Sequence, residues 1–277
     1  YSINGIYAKG AFHPKLNFLI GDHHLLLVLG SGNITAGGHG KNHETFSTIY
    51  ADSIESPLVP LLNEAWFYLQ NLSNSIDGYS KNRIKRVIPR NCEIINNPPE
   101  TAHQFYKIDN EFELSLIYND NTSIFNQISS LIPNIEVNSI TIVSPYYDED
   151  GSLLINLIEQ FPNAVLNVYL PEEHGLPPVN IIPNERINFF KWESTNRSQE
   201  KISASEEYKR KLHSKLFFFH SNDIEYCLIG SANATLAAFG TSQQRGINDE
   251  FGLLYKSSKV DFLKQLGIIG KQVKVNL

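Results

Sequence analysis

The chain has no methionine at any of its 277 positions and opens on Tyr1. Cysteine is nearly absent as well. Cys92 and Cys227 lie far apart and in no C-x-x-C pattern, which excludes a disulfide framework and makes a reducing cytoplasm the expected location. No apolar run approaches the roughly 20 residues of a spanning helix, so no membrane partner is expected. The longest such run near the start, Leu25 to Leu29, reads as a buried strand. Positive charge is in deficit: 23 Lys and Arg stand against 29 Asp and Glu, a formal net charge of −6. A nucleic-acid partner would therefore need a local basic patch, because the overall field repels it. H-E-x-x-H, EF-hand and cysteine–histidine clusters are missing, so neither a metal nor a cofactor is expected. Apolar residues at 42% and charged residues at 19% leave ample material for a core and exclude disorder.

What the chain does have is one motif twice. The first copy runs Phe12-His13-Pro14-Lys15-Leu16, then Gly30-Ser31-Gly32-Asn33-Ile34-Thr35. The second runs Leu212-His213-Ser214-Lys215-Leu216, then Gly230-Ser231-Ala232-Asn233-Ala234-Thr235. His, Lys, Gly, Ser, Asn and Thr recur in order, each displaced by 200 residues. Both copies then reach an N-x-E, Asn42-His43-Glu44 and Asn248-Asp249-Glu250, followed by an aromatic and a short apolar strand. H-x-K alone arises by chance, and G-S-x-N alone is a common turn. A duplicated turn would explain Gly and Asn. It leaves unexplained a His and a Lys two apart on a strand, hence on one face.

Internal repeats decide architecture. Residues 1–72 read as a first repeat, 73–110 as a polar linker rich in Asn, Ser, Pro and charge, and 111–277 as a second repeat. Strands are expected over 12–20, 23–29, 139–144, 164–170 and 187–192. Helices are expected over 57–72, 124–131 and 150–161, from apolar residues at helical spacing such as Leu58, Leu61, Leu62, Ala65, Trp66 and Leu69. Residues 201–211 read as a polar helix or mobile segment. Alternating strands and helices predict an α/β fold with helices outside a mixed or mostly parallel sheet.

These motifs resemble the phospholipase D superfamily, whose members carry two H-x-K…G-S-x-N half-sites related by a pseudo-two-fold axis. The resemblance spans the motifs and the α/β pattern between them, most of the chain. The family's usual Asp, five residues after the Lys, is missing: Ile20 and His220 occupy those slots, with Asp22 and Asp223 further on. In this respect the chain looks more like the tyrosyl-DNA phosphodiesterase branch and metal-independent nucleases, whose pattern is His, Lys, Asn. The resemblance implies a metal-independent phosphodiesterase or nuclease working through a phosphohistidine, with the amino-terminal histidine, His13, as nucleophile and His213 as general acid.

The residue types suit that chemistry. A phosphodiester is an anion that repels nucleophiles, so its oxygens must be neutralised and its leaving oxygen protonated. Lys15 and Lys215 supply compact positive charge and Asn33 and Asn233 neutral donors. Ser31 and Ser231, with the glycine-turn N–H groups, are expected to add phosphate contacts. Two histidines divide nucleophile and acid between them. Glu44 and Glu250 are placed to orient the imidazoles through their other ring nitrogen.

The remaining features read more plainly. His23, His24, His39, His43 and His174 are assigned to turns or loops, His103 to the surface, and His220 to packing. The acidic run Asp148-Glu149-Asp150 reads as a helix start. Two basic runs stand out: Lys81, Arg83, Lys85 and Arg86, with Arg90, in the linker, and Lys209, Arg210 and Lys211 just before His213. Such runs are usually solvated, but beside a phosphate site they are candidate nucleic-acid contacts. Two rival functions stay open: a lipid phosphodiesterase or phosphatidyl transferase, and a non-catalytic phosphate-binding assembly module. Finally, the first copy has twelve residues before His13, whereas the second has about a hundred between Leu114 and His213. Strands completing the first copy are therefore expected from an upstream domain or a second chain.

Overall fold

The computed structural model describes residues 3–95, 101–171, 175–193, 211–267, 269, 272–275 and 277. Of the candidate residues, His174, Lys209 and Arg210 lie outside that set. So does most of the 201–211 segment.

The first motif sits on a hairpin. Strand β1 (Leu16–Ile20) turns at Gly21 into β2 (Leu25–Gly30), and after β3 (Asn42–His43) the chain enters β4 (Phe46–Ala51). Order β1-β2-β4 makes an antiparallel three-stranded sheet, with Leu16 opposite Leu29. Its β4 alternates exposed and buried residues, so one face is buried. Strand β1 pairs with β2 on one side and is an edge among the described strands.

Helix α1 (Val59–Leu72) packs its apolar stripe, including Leu61, Leu62, Ala65 and Trp66, under this sheet. Its first turn carries a proline, whose missing N–H would have had no partner there. Residues 73–95 and 101–110 hold more regular structure than a linker. They contain helices α2 (Tyr79–Asn82) and α3 (Ile88–Asn91), joined by a π-helical turn over 83–87, and strand β5 (Tyr106–Lys107). Cys92, Ile94, Ile95 and Tyr106 enter the same core as Trp66 and Leu116. The apolar Ile94-Ile95 pair drives this burial, despite the polar composition around it.

The larger sheet has nine strands among the described residues. It adds β6 (Glu113–Tyr118), β7 (Val137–Val143), β8 (Val165–Leu170), β9 (Ile187–Lys191), β11 (Leu216–Ser221), β12 (Glu225–Gly230), β13 (Phe251–Ser257) and β14 (Val273–Val275), in the order β14-β9-β8-β7-β11-β12-β13-β6-β5. Short β10 (Lys211–Leu212) pairs elsewhere, parallel to β3. The nine-stranded sheet is mixed. Within it β7, β8 and β9 run parallel and the other pairs are antiparallel. Parallel neighbours need a long crossover, and α5 (Ser152–Gln160) supplies the one between β7 and β8.

One face of this sheet buries Phe217, Phe219 and Leu228 against helix α4 (Ile124–Leu131), α5 and the short α6 (Leu236–Phe239). On the other, Leu116, Phe251 and Leu253 meet α1 and the three-stranded sheet, while Phe218 and Cys227 meet Trp192 and α7 (Phe262–Leu266). Both cysteines are buried free thiols. No described helix is long and apolar enough to cross a membrane. Strands β11-β12-β13 repeat the order and antiparallel pairing of β1-β2-β4, with Leu216 opposite Ile229. Leu216 also lies opposite Val143, so the His213–Lys215 segment opens at the carboxyl ends of β7 and β8.

Candidate active site

The backbone before each H-x-K pairs with the N-x-E of the other motif copy. The His13 N–H donates to the Asp249 carbonyl at 2.9 Å, and the His213 N–H to the His43 carbonyl at 3.0 Å. This exchange fixes the side chains. The Nδ1 of His13 lies 2.8 Å from Glu250 Oε2. The Nδ1 of His213 lies 2.8 Å from Glu44 Oε1 and 3.0 Å from Oε2. Each histidine of one copy is therefore oriented by the glutamate of the other, which leaves both Nε2 atoms for a substrate.

The glutamates are held alike. Ser31 Oγ donates to Glu44 at 2.6 Å and Ser231 Oγ to Glu250 at 2.5 Å. Asn42 and Asn248 each donate a side-chain N–H to the second oxygen of the same carboxylate, both at 3.2 Å. The two serines, expected as phosphate donors, have a different task. Each is fully buried, gives its proton to a glutamate and accepts a backbone N–H, from Thr45 at 2.9 Å and Phe251 at 3.0 Å. With its proton committed, neither is free to donate to a phosphate.

Both lysines are buried, Lys15 at 7% exposure and Lys215 at 1%. Lys15 Nζ donates to the His13 carbonyl at 2.9 Å and Lys215 Nζ to that of His213, which leaves further N–H bonds on each. Burial draws the Lys15 ammonium down to about 8, with Glu250 and Glu44 resisting. Lys215 falls to about 7: burial lowers it most, Glu44 pulls upward, and Lys15 adds repulsion. That each lysine feels both glutamates places all four charges in one cluster. Burial pushes the Glu44 carboxyl up, but hydrogen bonds from His213 and Ser31 outweigh it and hold the group below its ordinary value.

The glycine of each G-S-x-N is there for close approach. A Cβ on Gly30 would lie 2.1 Å from the Thr45 carbonyl oxygen, and one on Gly230 2.7 Å from Gly252 Cα. The asparagines follow in matching turns, since Thr35 and Thr235 each donate to the carbonyl two residues back at 2.8 Å. Asn33 is exposed, whereas the Asn233 side-chain oxygen is buried without a hydrogen-bond partner. Asp148 caps the loop after Asn233 by accepting from the Leu236 N–H at 2.9 Å.

The other candidates disperse. His220 is half exposed and meets the Glu225 carboxylate at the far end of the β11–β12 hairpin, a surface contact instead of a packing one. His103 is not superficial: its Nε2 meets Asp120 at 2.9 Å, and its N–H donates to the fully buried Glu64 at 3.1 Å. His43, placed in a loop by its sequence, lies on β3 beside the site and packs edge-on against Trp192. Asp150 accepts from the Ser152 N–H at 3.0 Å as α5 begins. Lys211 is exposed on β10, directly opposite Asn42. Lys81 lies on α2, and Arg83, Lys85 and Arg86 on the π turn, far in sequence from both motifs. Sequence reasoning missed Asn42 and Asn248 as partners of the glutamates, although the repeated N-x-E carried the signal. It also missed Asn119, whose side-chain oxygen accepts the Glu250 N–H at 2.8 Å. Among the described residues no group of three or more His, Cys, Asp or Glu is placed to hold a metal ion.

No protein-family model matches this chain, and no curated protein does. Solved structures do. The yeast tyrosyl-DNA phosphodiesterase is similar at a TM-score of 0.52 and 12% identity, over 95% of this chain and 69% of that one. A histidine-to-alanine variant of the yeast enzyme gives 0.54 and 12%, over 89% and 67%. A phospholipase D family member from Salmonella typhimurium, at 0.35 and 15% over 53% and 84%, is too distant to add to the argument. The fold is thus the one seen in the tyrosyl-DNA phosphodiesterase structures, and a shared fold does not fix a reaction.

Proposed function

We propose that this chain is a metal-independent phosphodiesterase that cleaves nucleic acid through a phosphohistidine. The observation that carries the reading is the crossed orientation of His13 by Glu250 and His213 by Glu44. A module that merely binds phosphate has no need of two imidazoles held by buried carboxylates. The two motif copies act as half-sites about a pseudo-two-fold axis, with the reacting phosphate between them.

In the first step His13 Nε2 attacks phosphorus. The bond to the leaving oxygen breaks, and that oxygen takes the proton from Nε2 of protonated His213. In the second step His213 removes a proton from water, the water oxygen attacks phosphorus, and the P–N bond breaks to release His13. Glu250 and Glu44 stabilise the cationic form of each ring in turn. Lys15, Lys215, Asn33 and Asn233 face the phosphate oxygens and take the part a divalent ion plays elsewhere. Incubation with single-stranded DNA, duplex DNA, RNA and phospholipid vesicles, each in excess chelator, tests the reading. Cleavage of nucleic acid is expected. Turnover of the vesicles alone would transfer the site to lipid chemistry.

A further inference from the structure

A cavity of about 820 Å³ lies beside the candidate site, walled by residues 6–9, one face of α1, residues 244–247 and Asp249. We propose that this cavity and the basic turn beside it form a track for a single-stranded nucleic acid, which carries the strand away from the reacting phosphate on the His13 side. The inference rests on the nuclease reading and extends it to where the substrate lies.

The cavity is joined to the site by backbone. Gly10 donates to the Ile247 carbonyl, Asp249 to that of Ala11, and His13 to that of Asp249, each at 2.9 Å. Residues 9 and 13 therefore lie along one extended segment, a reach of at most about 14 Å. Lys9 is in the cavity wall and His13 in the site. Asp249 faces the cavity, while its neighbour Glu250 orients His13.

The wall has the chemistry of a base-binding surface. Tyr7 is 89% exposed and Phe67 39%, large aromatic faces that the core does not use. Tyr68 also lines the cavity. It is 6% exposed, and its hydroxyl has no hydrogen-bond partner, so a donor is left unmet at the cavity wall. The acids nearby are already engaged: Asp120 with His103 at 2.9 Å, and Asp249 with Arg245. Lys9 makes no ion pair among the described residues. At the rim, Ser75 follows Asn74, which receives hydrogen bonds from both Lys81 and Lys85. The N-terminal wall is tied to the same turn by Asn4 donating to Ser80 at 2.8 Å. Aromatic faces beside a run of cations, in a chain of net negative charge, suit unstacked bases with a phosphate backbone between them. A duplex keeps its base faces stacked and paired and offers none to these rings.

The test measures binding of a labelled oligothymidylate and of a duplex of equal length to the full chain in a His213→Ala background. The double change Tyr7→Ala with Phe67→Ala should weaken single-strand binding about tenfold or more, at about 1.4 kcal/mol per decade. Lys81→Ala with Lys85→Ala should lower the log–log salt slope by about 0.7 for each phosphate that is no longer neutralised. Both pairs are partly or wholly exposed, and unchanged melting temperatures confirm folding. With His213 restored, the same variants should hydrolyse a small chromogenic diester within twofold of wild type. Single-strand affinity and slope unchanged in both variants, while wild type still cleaves diesters, would overturn the track and leave the catalytic reading intact. Wild type that cleaves no diester, yet loses strand binding in these variants, would keep the track and remove the catalytic reading.

Discussion

Replacing Glu44 or Glu250 with glutamine separates the crossed pairing from any arrangement in which each copy serves itself. Around Glu44 the structure places three donors: His213 at 2.8 Å, Ser31 at 2.6 Å and Asn42 at 3.2 Å. Around Glu250 stand His13 at 2.8 Å, Ser231 at 2.5 Å and Asn248 at 3.2 Å. A carboxylate accepts from all three, but an amide accepts through one oxygen and turns its own N–H₂ toward the remaining donors. A hydrogen bond to a charged group contributes about 1.5–3 kcal/mol, so each replacement should slow the step that its histidine serves roughly ten- to hundredfold. Leaving-group dependence reads out which step that is. A p-nitrophenyl diester departs without an acid, whereas an alkyl diester needs one. Glu44→Gln, which disturbs the acid His213, should therefore slow formation of the covalent intermediate from the alkyl diester far more than from the p-nitrophenyl one. Glu250→Gln, which disturbs the nucleophile His13, should slow both alike. Single-turnover kinetics give these rates. The opposite pattern with the covalent adduct still on His13 would refute the crossed pairing, the opposite pattern with the adduct on His213 would exchange the roles of the two histidines, and equal effects of both variants on both substrates would refute the division of labour.

Three further outcomes are expected. Lys15 and Lys215, drawn to about 8 and about 7, lose their protons as pH rises through that range, so kcat/KM should fall there on the alkaline side. A bound phosphate anion favours the charged lysines, so the limb in kcat should lie higher; a kcat/KM profile flat to strongly alkaline pH would exclude charged lysines from the mechanism. For stability the sign is opposite to that of a paired lysine: with the folded value below the ordinary 10.5, the unfolded chain binds more protons between about 7 and 10.5. This group's contribution therefore falls as pH drops through that window and is level below it, which denaturant midpoints measured at several pH values would reveal. Gly30→Ala should destabilise by about 1–3 kcal/mol through overpacking, since the new carbon meets the Thr45 carbonyl at 2.1 Å; an unchanged denaturation midpoint would show that β2 and β4 separate freely.

Much of this was legible in the sequence. The helices over 59–72, 124–131 and 152–160 and the strands flanking both motifs follow apolar periodicity closely, because their burial is local and one-sided. The candidate residues were legible through duplication alone. Their wiring was not: His13 and Glu250 are 237 positions apart and His213 and Glu44 169 apart, and nothing in the spacing says that each histidine takes the other copy's glutamate. The serines were misread because Gly30 and Gly230 bring β4 and β13 so close that the hydroxyls are enclosed. Residues 73–110 looked like a linker by composition, yet Ile94, Ile95 and Tyr106 are core. The cavity beside residues 6–9 and 244–247 had no signal, since its walls come from five separate stretches of the chain.

The central claim is that two histidines, without a metal, cleave a phosphodiester. Its most direct test is hydrolysis of a labelled single strand by the wild type, His13→Ala and His213→Ala proteins, each folded and each in excess EDTA. Wild type should retain full activity in the chelator. Both variants should be inactive on the unmodified strand, and His213→Ala should trap an adduct on His13 from a p-nitrophenyl ester. Activity abolished by EDTA and restored by magnesium, or substantial turnover in either variant, would contradict it.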